Sequence, residues 1–317
     1  MEYYIDPVSY IQRKIGGESQ QIRNLLDLLE EGATLPFIAR YRKERTGNMD
    51  EVRIGEIKTL YGQFQELEKR KTTVLDSIRE QEKLTPELEK QIREAMELRV
   101  LEDLYLPYKP RKLTRASKAK AKGLEPLAKW MLQQNCEDPV VEAGRFVNKE
   151  VKDGEEALQG ARDILAEWIS ESEIARNKIR KCIEKEACIC SRVVKGKEEE
   201  GGKYADYFDY KETLKYCPSH RMLAIRRGEA EGILRIGLEI DDEQALDRLE
   251  YIFVKGKQAC AMQVSMALKD AYKRLLFPSI ETEYINLAKQ RADEGAIQVF
   301  AENLRQLLLA PPLGNKR

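Results

Sequence analysis

Histidine is nearly absent: one residue, His220, serves the whole 317-residue chain. That leaves little for imidazole-based acid–base work or for a His-rich metal site. No G-x-S-x-G nucleophile elbow and no Walker A loop occurs. Gly196 and the pair Gly201-Gly202 lack the following Lys-Ser/Thr that a phosphate loop needs. Six cysteines are too few for a disulfide scaffold, and they point to a reduced, cytoplasmic setting. No run of 18 apolar residues exists, so no membrane span is expected. The N-terminus MEYYIDPVSY has no basic and apolar leader pattern. Net charge is also missing: 55 basic and 55 acidic residues cancel. Any polyanion binding must therefore come from local patches rather than from the overall field.

What is present in excess is charge of both signs, 35% of the chain, on a strong helical period. Ile22, Leu25, Leu26 and Leu29 recur at 3–4 spacing, and Gly32 stands where a C-terminal cap would. Asp50 can cap a long helix over about 50–82, in which Leu60, Phe64, Leu67, Val74 and Ile78 keep one seam that Lys71 interrupts. Thr85-Pro86 and Asp138-Pro139 read as helix starts. Ala157, Ala161, Ile164, Leu165 and Trp168 form one stripe, so Trp168 and Phe64 are expected in the core. Gly232–Ile240 alternates as a strand whose partner the pattern does not identify. Lys257–Leu276 and Ser279–Leu309 read as two helices broken at Pro278. The fold class is mainly α and multi-helical, with at most a small strand element near 232–240. Three regions are expected: 1–108 with the long helix, a basic module 109–203, and a helical connector 204–317.

Two places set an apolar run against a basic one. In the first, Leu35, Pro36, Phe37 and Ile38 lead into Arg40, Tyr41, Arg42, Lys43 and Arg45, and Phe37-Ile38 reads as a buried anchor. In the second, Leu104–Tyr108 leads into Lys109, Arg111, Lys112, Arg115, Lys118, Lys120 and Lys122, with no acid between Lys109 and Lys122. Such runs suit phosphate backbones, and an interleaved tyrosine suits a single strand. The alanines and serine around the second cluster offer its lysines little core, so their charge is expected to be free. Arg40 is expected to be fixed by Glu44 or Asp50, with a solvated or structural role as the bland alternative for both clusters. Arg176, Lys178, Arg180 and Lys181 make a third, weaker cluster. Cys188, Cys190, Cys217 and His220 have zinc-capable residue types, but C-x-C spacing departs from a zinc ribbon, and no metal or other cofactor is expected.

The strings PFIARYRKE, LRVLEDLYLPYKP, KAKGLEPLA, SRVVKGKEEEGGKYADYFDY and CPSHRMLAIRRGEAEG resemble, in order, the Tex family of bacterial transcription accessory proteins that bind nucleic acid. Family chains continue, after a segment like QLLLAPPLG, into an RNase-H-like domain, helix-hairpin-helix modules and an OB-fold RNA-binding domain. The resemblance thus covers their N-terminal helical half. It implies a helix-turn-helix-like module within the basic region, no metal there, and RNA or DNA as partner. The expected function is a non-catalytic nucleic-acid-binding scaffold, docking on Lys109–Lys122 with help from Arg42, Lys43 and Arg45. A protein-interaction scaffold for the transcription machinery and a fragment of a nucleic-acid-processing enzyme are the alternatives.

Overall fold

The structure, a computed structural model, describes residues 5–109, 114–135 and 138–310. The chain divides into two compact units, 1–111 and 112–317. In the first, α1 (Pro7–Ile15), α2 (Ser19–Glu30), α3 (Leu35–Tyr41) and α4 (Lys43–Thr46) pack with the 30-residue α5 (Glu51–Glu80). They are followed by α6 (Pro86–Glu94) and α7 (Leu98–Tyr105). Sequence dictates the boundaries. Asp50 accepts the Arg53 N–H at 2.7 Å to start α5, and Thr85 accepts the Leu88 N–H at 3.2 Å ahead of Pro86 in α6. Gly32, at φ +84°, lets α2 stop, with the Ala33 N–H returning to the Leu28 carbonyl at 3.0 Å.

The α5 seam buries Ile54, Ile57, Phe64, Leu67, Val74, Leu75 and Ile78 against Ile11, Ile22, Leu25 and Ile92. Each such side chain contributes roughly 1.5–3 kcal/mol. Lys71, the break in the seam, is buried with them. Its ammonium donates to Glu68 Oε1 and to the Arg93 carbonyl, both at 2.8 Å. Those two acceptors offset the cost of removing its charge from water.

The second unit holds α8 (Arg115–Ala121), α9 (Glu125–Gln133), α10 (Pro139–Gly144), α11 (Gly154–Glu171) and α12 (Glu173–Glu186). Then come β1 (Cys188–Val193), β2 (Asp209–Thr213), α13 (Ser219–Ala230), β3 (Leu234–Glu239), α14 (Asp242–Phe253), α15 (Ala259–Asp270) and α16 (Phe277–Leu309). The expected strand finds its partner in β1, antiparallel with Ile189 opposite Leu238, and β2 pairs on the other side of β1. Strands on both sides of residue 203 thus lie in one sheet. Ile189 and Leu238 face a core with Ile179, Ile183, Tyr272, Leu276 and Ile280. A second core collects Leu124, Leu127, Met131, Ala161, Ile164 and Leu165, with the half-buried Trp168 packed against it.

Pro278 does not break the helix, contrary to the sequence reading. A π-helical stretch, Ala271–Leu276, joins α15 to α16. Proline conflicts with the carbonyl four residues back; a wider i→i+5 turn relieves this, so the chain stays helical through the proline. Cys182, Cys188, Cys190 and Cys217 are free thiols, while Cys260 is disulfide-bonded, against the expectation of reduced cysteines throughout. Among the described residues no helix is long and apolar enough to cross a membrane.

Candidate nucleic-acid interface

The two basic clusters differ in their surroundings, and three of their residues depart from what local sequence implied: Lys120 and Lys122 are paired, whereas Arg40 has no carboxylate partner among the described residues. In the second cluster Lys109, Arg115 and Lys118 are exposed; Arg111 and Lys112 lie outside the described residues. Lys120 and Lys122 are half-buried and engaged. Lys120 donates to Glu167 Oε2 at 2.9 Å and Lys122 to Glu156 Oε1 at 2.6 Å, both on α11. The small side chains explain this. Ala116 and Ala119 are buried against α11, and Gly160 admits them so closely that a Cβ there would sit 3.3 Å from the Ala119 methyl and 2.3 Å from Leu124 Cδ1. The alanines therefore do not leave the lysines without a core; they bring the helices near enough for lysine to reach carboxylate. Hydrogen bonding from Lys122, and then from the Lys152 N–H, holds the Glu156 carboxyl below its ordinary range. Glu167 also accepts from Thr114 Oγ1 at 3.2 Å, and Thr114 caps α8 in a reciprocal pair with Ser117.

Lys120→Met is accordingly expected to destabilise the fold, by about 1 kcal/mol for a lost charge-assisted bond, or roughly 2–4 °C in melting temperature. Thermal melts followed by circular dichroism check this. An unchanged melting temperature would show the pair to be idle.

In the first cluster Arg40, Arg42, Lys43 and Arg45 are all exposed, and none forms an ion pair among the described residues. Glu44 stands four residues from Arg40, but α3 ends at Tyr41 and Arg42 (φ −131°, ψ 25°) breaks the register that would stack the two. Asp50 is spent as the α5 cap. Phe37, read as buried, is 39% exposed; Ile38 and Ala39 after it enter the core. Phe37 and Tyr41, one turn apart, stack with ring centroids 5.5 Å apart, and the Arg42 guanidinium lies 5.1 Å over the Phe37 ring. Tyr41 remains 67% exposed. The backbone beneath is fixed. Asn24 donates to the Arg45 carbonyl at 2.8 Å, and the Asn48 N–H closes α4 on the Lys43 carbonyl at 2.9 Å. Gly47 supplies the left-handed cap at φ +66° where Gln21 leaves no room for a side chain. The Phe37–Tyr41 spacing, with Arg40 before the tyrosine and Arg42 after it, was the legible signal; the assignment of Phe37 to the core obscured it.

The third cluster is structural in part. Arg176 and Arg180 are buried and both reach Glu283 of α16. Among the described residues no three His, Cys, Asp or Glu side chains gather to hold a metal ion. Burial pushes the Cys190 and Cys217 thiols up to about 11, which keeps them protonated at neutral pH.

The Tex-like protein N-terminal domain family matches residues 5–79, and the Tex central region-like family matches residues 134–300. The transcriptional accessory protein Tex of Neisseria gonorrhoeae is 40% identical over 310 residues, 96% of this chain and 41% of that protein. Protein tex of Bordetella pertussis is 38% identical over 325 residues, 98% of this chain and 41% of that protein. A human S1 RNA-binding domain-containing protein is 26% identical over 326 residues, 97% of this chain and 32% of that protein. The chain spans about two-fifths of the length of its bacterial relatives. Carried by both family matches and by these identities, the chain belongs to the Tex family.

Proposed function

We propose that this chain is a nucleic-acid-binding scaffold of a transcription accessory protein, holding RNA or DNA electrostatically and performing no chemistry. One observation carries the reading: Arg40, Arg42, Lys43 and Arg45 are exposed and without carboxylate partners among the described residues, around an exposed tyrosine. Four such cations on a fixed backbone suit phosphates, and no ion pair has to be broken first. Lys109, Arg115 and Lys118 are exposed as well, whereas Lys120 and Lys122 serve the fold. α8 and α9, joined through Gly123 at φ +79°, have the short glycine-containing connection of a helix-turn-helix-like module. The names of the relatives, a transcriptional accessory protein and an S1 RNA-binding domain-containing protein, agree with this reading.

Fluorescence anisotropy with labelled RNA and DNA tests it. Non-specific affinity of roughly 10⁻⁴–10⁻⁶ M at physiological salt is expected. Changing Arg40, Arg42, Lys43 and Arg45 together to Gln should lower affinity and reduce the slope of log K against log salt by about 3, at roughly 0.7–0.9 for each phosphate no longer neutralised. A variant with parent-like affinity and slope would remove the interface from this patch.

A protein-interaction role for the same scaffold, with the transcription machinery as partner, is favoured by a separate feature. The last turns of α16 leave Ile297, Val299, Phe300, Leu304 and Leu307 open to solvent.

A further inference from the structure

A groove of about 650 Å³ lies beside the arginine patch, within the roughly 300–1,000 Å³ of small-molecule sites. Leu29, Ala33, Leu35 and Pro36 supply one wall, and Tyr61 and Gly62 of α5 the other. The lining is mostly apolar. Lys58 stands on the α5 side, about one turn before Tyr61 and Gly62. Glu30 is the one carboxylate of the lining, and it accepts the Tyr61 hydroxyl at 2.5 Å, which fixes the tyrosine in the wall. Gly62 keeps the space open: a Cβ there would meet no atom within 4 Å. Pro36 lines the groove, and Arg40 is one turn further along the same face of α3, so the patch begins next to the groove.

We propose that this groove receives an unstacked nucleobase from a single strand whose phosphates lie on Arg40, Arg42, Lys43 and Arg45. The inference rests on the nucleic-acid reading of that patch. A base out of the stack exposes two apolar faces, and the aliphatic wall and the Tyr61 ring can cover them. A paired base is already stacked and cannot enter. An apolar peptide would fill the same space. The choice of a base follows from the four neighbouring cations without carboxylate partners among the described residues, from Lys58 at the groove itself, and from the engagement of its single carboxylate.

The test uses the full chain and three labelled probes of equal length: a single-stranded oligonucleotide, its abasic counterpart and a duplex. The parent is expected to bind the base-bearing single strand several-fold more tightly than either of the others. Gly62→Leu fills the groove from α5 with a better helix former. It should erase that preference and leave abasic affinity unchanged. Gly62→Gln fills the same space with a polar side chain, and serves if leucine disturbs folding. The four-fold Arg/Lys→Gln variant should weaken both single strands. If either groove-filling variant folds and retains the preference, the base is not in the groove and the inference fails, while the patch reading stands. Equal weakening of base-bearing and abasic strands by the filling variants, or a duplex bound as tightly as the single strand, also overturns it. If the Arg/Lys variant binds like the parent, the patch reading falls and takes this inference with it.

Discussion

Glu283→Ala is expected to lower the melting temperature by about 6 °C or more. The carboxylate of Glu283, on α16, receives Arg180 side-on: Nε donates to Oε1 at 3.0 Å and Nη2 to Oε2 at 2.8 Å. Arg176 approaches the same Oε2 at 3.5 Å. Both guanidinium groups are over nine-tenths buried, so each depends on its anionic and polar neighbours far more than a surface arginine would. The bidentate fork also fixes geometry, since it ties α12 to α16 across 103 residues of sequence. Removing one partner of a buried pair typically costs about 3–5 kcal/mol, mainly because the other charge stays behind. Arg180 keeps its bond to Asn177 and Arg176 its bond to Ser279, so the low end, about 3 kcal/mol, is the expected loss. For a unit of about this size each kcal/mol moves the transition by roughly 2–4 °C. Glu283→Gln keeps an acceptor without the charge and should fall between parent and alanine. Calorimetry on the three proteins decides; an alanine variant within 1 °C of the parent would mean that the neighbouring partners already suffice.

The same pair shows where sequence reading stops. Features set within one turn were legible: Asp50, Thr85-Pro86 and Asp138-Pro139 each begin a helix as their side chains and rings dictate. The α5 seam was legible too, including its interruption at Lys71. What joins distant segments was not. The alternation of 232–240 gave a strand but no partner, because β1 lies more than forty residues earlier. An acid-free run from Lys109 to Lys122 looked unpaired, yet Glu156 and Glu167 arrive from a helix whose approach depends on Ala116, Ala119 and Gly160. Conversely, Glu44 and Asp50 are close to Arg40 in sequence but unavailable to it, one by a broken helical register and the other by capping. Charge composition is a local property, whereas charge neutralisation is a tertiary one. Lys120 and Lys122 are thus neutralised from a distant helix, while the cations from Arg40 to Arg45 keep no carboxylate partner among the described residues.

Phe64→Ala and Tyr41→Ala should separate the two uses of an aromatic ring in the first unit. Phe64 is 8% exposed, sits midway along α5 and packs against Tyr10 with centroids 5.4 Å apart. Its neighbours belong to one continuous core, so truncation leaves a cavity that a 30-residue helix cannot collapse to fill. Phenylalanine-to-alanine changes in such settings cost about 3–5 kcal/mol. At roughly 4 °C per kcal/mol, for a unit of about 110 residues, the transition should fall by about 12–20 °C. Tyr41 is the opposite case. Its ring touches Phe37 and is otherwise in water, so alanine there should change stability by no more than about 0.5 kcal/mol. The loss should appear instead in binding, because base–aromatic stacking is worth about 1–3 kcal/mol per base, or roughly five- to 150-fold in affinity for a single strand. Trp168, half-buried on α11, belongs with Phe64 in this contrast. Paired melting and anisotropy curves make the comparison. A Phe64→Ala protein that melts like the parent but binds weakly, beside a Tyr41→Ala protein that unfolds early, would exchange the two roles.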